Sequence, residues 1–128
     1  MQAVLFDVEE YIEEGDLVLQ IPDDMSEEDA EYIKQVLEDS DIVSDRVVKD
    51  IGHQVNKFGA QRLDGNAWNA VIAEEWGETV ADYNKKNYDN CIAEAHQTIA
   101  CISRFISEVK REQSGKSRYE QSLYQRQQ

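Results

Sequence analysis

The chain has 128 residues, enough for one hydrophobic core and too few for two. Its 13 Lys and Arg stand against 27 Asp and Glu, a formal net charge of −14. A field of that sign repels nucleic-acid backbones and anionic membranes, and argues against phosphate-tracking binding without local cations or bound metal.

No apolar run approaches the roughly 18 to 20 residues of a membrane span, and no basic region followed by an apolar one opens the chain, so the expectation is a cytoplasmic protein. One Pro and six Gly fit a mainly helical fold. Cys91 and Cys101 fall in one predicted helix, roughly 15 Å apart along its axis, too far for a disulfide between them. His53 and His96 are isolated, without further Cys or His at zinc-ligand spacing.

In chain order, "AVLFDV" and "LVLQI" read as two short strands around a Gly15-Asp16 turn signal, and Pro22 closes the second. Ser26 then caps a predicted amphipathic helix with Ala30, Ile33, Val36 and Leu37 on one face. These first forty residues carry no chemical motif and read as an appendage of hairpin plus helix. A second helix is expected from Asp41–Ser44 to Phe58, with Val47, Val48, Ile51, Val55 and Phe58 at helical spacing. Gly59 and Gly65 punctuate the segment after Phe58. A third helix is expected over 66–83 and a fourth over 89–110, joined by so short a connection that they must be antiparallel neighbours. Residues 41–111 thus form the helical domain. Residues 112–128, polar and Gln-rich, are expected to be flexible or a frayed helix.

The acids of the third and fourth helices carry the chemistry. Trp68, Val71 and Ile72 define a stripe that helical spacing continues through Glu75 to Glu78 or Thr79 and Asp82. In the fourth helix Ile92, Ala95, Ile99, Ile102, Ile106 and Val109 form one apolar stripe, and Cys91, Glu94, Thr98, Cys101 and Phe105 a second beside it. Between Asp89 and Arg104 the only formally charged side chain is Glu94. A carboxylate on so apolar a helix needs compensation. A divalent cation shared by Glu75, Glu78 and Glu94 supplies it, and hard oxygen ligands suit Mg2+ or Mn2+. The alternative is a protonated or salt-bridged Glu94 in the core, with Glu75 and Glu78 as surface charges.

"EEWGE" at 74–78, followed fifteen residues on by "EAHQ" at 94–97, resembles the MazG-like all-α nucleoside triphosphate pyrophosphohydrolases, whose signature is E-x-x-E, a gap, then E-x-x-D. "KFGAQ" at 57–61 ahead of "AWNAVIAEEWGE" is similar to the members from phage and bacteria; the likeness spans about residues 44–108. The resemblance implies a helical bundle completed by oligomerisation, as a homodimer or homotetramer, in a bacterial or phage-infected cell. It implies hydrolysis of an NTP or dNTP to the monophosphate and pyrophosphate. It places Glu74, Glu75, Glu78 and Glu94 in the catalytic set, with Glu75, Glu78, Glu94 and Gln97 at metal-ligand positions. Gln97 departs from the commoner Asp and lowers the charge of the site. Lys57, Gln61, Arg104 and Lys85 are the candidates to meet substrate, with Trp68 expected in the core. The competing reading is an acidic interaction protein, catalytically degenerate on the same fold, that mimics nucleic acid or inhibits a cationic partner.

Overall fold

A computed structural model describes residues 2–6, 17–21, 25–41 and 44–126. The chain is mainly helical. Among the described residues two strands, β1 (Gln2–Phe6) and β2 (Leu17–Ile21), precede five helices: α1 (Glu27–Ser40), α2 (Asp45–Phe58), α3 (Gly65–Asn84), α4 (Tyr88–Gln113) and α5 (Arg118–Arg126). β1 and β2 pair antiparallel, from Gln2 opposite Ile21 to Phe6 opposite Leu17. The expected Gly15-Asp16 turn and Pro22 lie outside the described residues. Among the described residues no helix is long and apolar enough to cross a membrane.

The helix starts follow capping chemistry. The Ser26 hydroxyl accepts from the Asp29 N–H at 3.1 Å, and the Ser44 hydroxyl accepts from the Val47 N–H at 3.2 Å, each satisfying an amide that the first turn leaves open. The Asp64 carboxylate accepts from the Ala67 N–H at 2.8 Å. Gly65 is therefore the first residue of α3 rather than a break before it. α2 ends at Gly59, whose φ of 76° and ψ of −175° belong to a region that side-chain-bearing residues avoid.

Ile33, Val36 and Leu37 of α1 pack with Val47, Val48, Ile51 and Val55 of α2, and Ala100 of α4 closes this core. The apolar spacing of α1 and α2 is thus realised, except that Phe58 turns outward and lies beneath the Lys57 ammonium, 5.0 Å from the ring centroid. α3 and α4 form the most extensive helix pair, an antiparallel hairpin turning through residues 85–87.

α4 departs from its sequence pattern. Its buried face is Thr98, Cys101, Arg104, Ser107 and Glu108, whereas Ile92, Ile99 and Val109 of the expected inward stripe are exposed and Ala95, Ile102 and Ile106 half-buried. The physical reason is Arg104. Its guanidinium lies 4.4 Å over the Trp68 ring, donates through Nε to the Tyr32 hydroxyl at 3.0 Å, and donates through Nη2 to the Ala60 carbonyl at 2.6 Å. Its Nη1 reaches the side-chain oxygens of Gln54 and Gln61 at 3.3 and 3.4 Å. So many partners drawn from α1, α2 and the loop before α3 turn the polar face inward.

The polar tail also differs from a flexible segment. Ser117 is buried, donates to Glu108 Oε1 at 2.6 Å and accepts from the Glu120 N–H at 3.2 Å, so it anchors the start of α5. Arg118 stacks 4.7 Å from the Tyr32 ring and donates to Ser107 Oγ at 2.9 Å.

Candidate metal centre

On α3 the three-residue spacing of Glu75 and Glu78 sets both carboxylates over adjacent turns of one face, and the antiparallel return of α4 brings Glu94 against them. One oxygen from each of the three lies within 4.8 Å of the other two. Glu75 and Glu94 are half-buried and Glu78 is exposed.

Three carboxylates that close repel one another, and the protein does little to relieve them. Glu75 Oε2 and Glu94 Oε2 are buried without a hydrogen-bond partner. The Thr79 and Thr98 hydroxyls, one turn further along their helices, donate instead to the main-chain carbonyls of Glu75 and Glu94 at 2.9 and 2.8 Å. Burial first, then a hydrogen bond with Glu94 and the charges of Glu78, Glu94 and Glu74, push the Glu75 carboxyl up to about 7. Glu78 also moves upward, chiefly through the charge of Glu94. Without a cation, a proton held on Glu75 is the group that eases the pair.

Burial first, and then the charge of Glu75, push the nearby Cys101 thiol up to about 11, so in the metal-free chain it stays protonated at neutral pH. An all-oxygen donor set with unsatisfied buried lone pairs is of the kind that could hold a hard divalent cation such as Mg2+ or Mn2+, and Glu75, Glu78 and Glu94 are the residues that would hold it.

The other candidates are placed less uniformly. Glu74 is exposed beside the cluster, and its charge adds to the repulsion on Glu75 and Glu78. Gln97 follows Glu94 by one turn, is half-buried, and its main-chain oxygen accepts from Gln54 Nε2 at 3.2 Å. Arg104 is the clear correction: sequestered in the core with its donors occupied, it offers nothing to a substrate phosphate. Gln61 is one of those acceptors, which draws it toward the core network and away from a substrate role. Lys57 and Lys85 are both exposed, Lys57 at the end of α2 and Lys85 at the turn into α4. Trp68 is buried as expected, while Trp76 is exposed.

Sequence reasoning missed Gln54, which ties the α4 segment behind Glu94 to α2. Its amide nitrogen donates to Gln97 O, and its oxygen accepts from Arg104 and from the Cys101 thiol at 3.8 Å. Helical spacing sets Gln54 beside Ile51 and Val55 but cannot name a partner forty residues away. His96, isolated by its sequence spacing, has a buried Nδ1 without a hydrogen-bond partner.

Comparisons with protein-family models, curated proteins and solved structures gave no match to this chain, so the likeness to MazG-like enzymes rests on the motif residues themselves.

Proposed function

We propose that the chain is a metal-dependent pyrophosphohydrolase that cleaves a nucleoside triphosphate, NTP or dNTP, to the monophosphate and pyrophosphate. The observation that carries this reading is the convergence of Glu75, Glu78 and Glu94 within 4.8 Å, with buried oxygens on Glu75 and Glu94 that no protein donor satisfies. A bound Mg2+ or Mn2+ supplies neutralisation of phosphate charge and activation of water, the two needs of phosphoanhydride hydrolysis. Glu75, Glu78 and Glu94 hold the cation. Glu74, exposed alongside, is the carboxylate free to take a proton from water. With Arg104 committed to the core, exposed lysines such as Lys57 and Lys85 would meet phosphate oxygens.

The working unit is a homodimer or homotetramer, supported by the apolar side chains exposed along α3 and α4. The test is a panel of NTPs and dNTPs with Mg2+ or Mn2+, scored for pyrophosphate. Turnover of at least one nucleotide that stops on chelation is the expected result. Release of orthophosphate alone would reject the reading in favour of cleavage at another phosphoanhydride, and no turnover across the panel would leave the acidic interaction protein in its place.

A further inference from the structure

A second polar site lies toward the other end of α4. Arg111 follows Glu94 by seventeen residues, roughly 25 Å along the helix at about 1.5 Å per residue. There a cavity of about 320 Å3, the lower end of the range that holds small ligands, opens between α1, the loop before α3, α4 and α5. Three of the 13 basic residues of this acidic chain line it: Arg62, Arg111 and Arg118.

Arg111 and Arg118 share acceptors here, and Arg118 Nη1 also donates to Ser107 Oγ at 2.9 Å. Arg111 Nη2 and Arg118 Nη2 both donate to one oxygen, Gln35 Oε1, at 2.8 and 3.1 Å. Both guanidiniums also share Asp39 Oδ2, at 3.4 Å from Arg111 Nε and 3.9 Å from Arg118 Nη2. The Arg111 Nε atom is buried, and at that angle it makes no hydrogen bond. Burial, and then the charge of Arg111, lower the proton affinity of Arg118, against the opposing charges of Asp39 and Glu108. Arg62 is committed only at the surface, 3.3 Å from the largely exposed Glu28.

The carboxylates at the mouth select among anions. Glu28 and Glu31 line the cavity beside the arginines and repel a fully deprotonated oxyanion. A phosphate that retains a P–OH instead donates that hydrogen to a carboxylate while its other oxygens accept from the guanidiniums. We propose that this cavity is a phosphate-binding site, in which Arg62, Arg111 and Arg118 hold the oxygens of inorganic phosphate or of a phosphomonoester and the Glu31 carboxylate accepts a hydrogen bond from its remaining P–OH. The proposal is independent of the carboxylate cluster.

The experiment is calorimetric titration of the full chain, kept metal-free with EDTA, with inorganic phosphate, sulfate and adenosine monophosphate near pH 6, where a phosphomonoester still carries a proton in part. Saturable phosphate binding at least about tenfold tighter than sulfate is expected, a gap of about 1.4 kcal/mol. Binding of the monophosphate comparable to phosphate identifies an esterified ligand, and its exclusion identifies free phosphate. Arg62→Gln should weaken phosphate by about tenfold. It should leave the ligand-free melting temperature unchanged, since its ion pair is at the surface. Glu31→Gln should narrow the preference over sulfate. Absence of saturation up to about 10 mM phosphate, equal affinity for sulfate, or unchanged affinity in Arg62→Gln would each overturn the proposal.

Discussion

Glu75 is caught between two ways of relieving its charge. It holds a proton to about pH 7 in the folded, metal-free chain against an ordinary value of 4.5. Between those values the unfolded chain has released the proton and the folded one has not. The contribution of Glu75 is therefore fully present at low pH and is lost as pH rises through about 7, on the order of 1 kcal/mol once solvent screening of this half-buried group is allowed for. Melting temperatures in EDTA should fall from pH 5 to pH 8, and Glu75→Gln, neutral throughout, should flatten that slope. Cation binding displaces the same proton, so apparent Mn2+ affinity should rise by up to about tenfold between pH 6 and 7. A slope unchanged by Glu75→Gln would show that this residue does not hold the proton that relieves the cluster. In turnover, Glu75→Gln, Glu78→Gln and Glu94→Gln should each cost at least about a hundredfold, since each removes a ligand charge worth several kcal/mol at about 1.4 kcal/mol per tenfold. Activity within about threefold of the parent would take that residue out of the ligand set.

At the scale of elements, α4 is governed by a single polar residue. Replacing Arg104 by Met strands the Tyr32 hydroxyl, the Ala60 carbonyl and the Gln61 oxygen at once, leaves the Gln54 oxygen only the Cys101 thiol, and should cost about 3 to 5 kcal/mol in chemical denaturation. Arg104→Lys should recover little, because an ammonium cannot reach the same fork of acceptors or lie flat on Trp68. A loss below about 1 kcal/mol would mean that the guanidinium is incidental to the packing. In α3, Gly77 sits mid-helix with open space where a Cβ would be, so Gly77→Ala should stabilise the chain by roughly 0.5 to 1 kcal/mol.

These cases also show what local pattern can and cannot reveal. Ser26 and Ser44 disclose their helices because a cap is chemistry between neighbours in sequence. The convergence of Glu75, Glu78 and Glu94 is legible for a related reason, being fixed by one helical repeat and one short turn. Arg104 defeats the pattern because its hydrogen-bond partners lie 43 to 72 residues away, where nothing in the periodicity of α4 points. α5 is hidden for the same reason: its composition reads as solvated tail, while its anchors, Glu108 and Ser107, belong to another helix.

For the molecule as a whole, the face that α4 turns away from its own chain sets the last expectation. Trp76, Val80 and Tyr83 of α3 and Tyr88, Ile92 and Ile99 of α4 are all exposed, with Tyr83 and Tyr88 in ring contact at 6.2 Å. An apolar surface running along both arms of one hairpin is more than isolated surface residues provide, and a second copy related by a twofold axis can cover it with its own equivalent. Each copy, however, carries a formal charge of −14, so approach is opposed at low ionic strength and favoured once salt screens it. Light scattering should therefore give a dimer or larger assembly whose dissociation constant falls as salt is raised from about 0.05 to 0.5 M, the opposite of an assembly held by ion pairs. Ile92→Glu, at the middle of the stripe, should leave a folded monomer. Phe58→Glu, on α2 and equally exposed, should leave the assembly intact. A parent chain that stays monomeric at micromolar concentration in high salt would show that this stripe is not where copies of the chain meet.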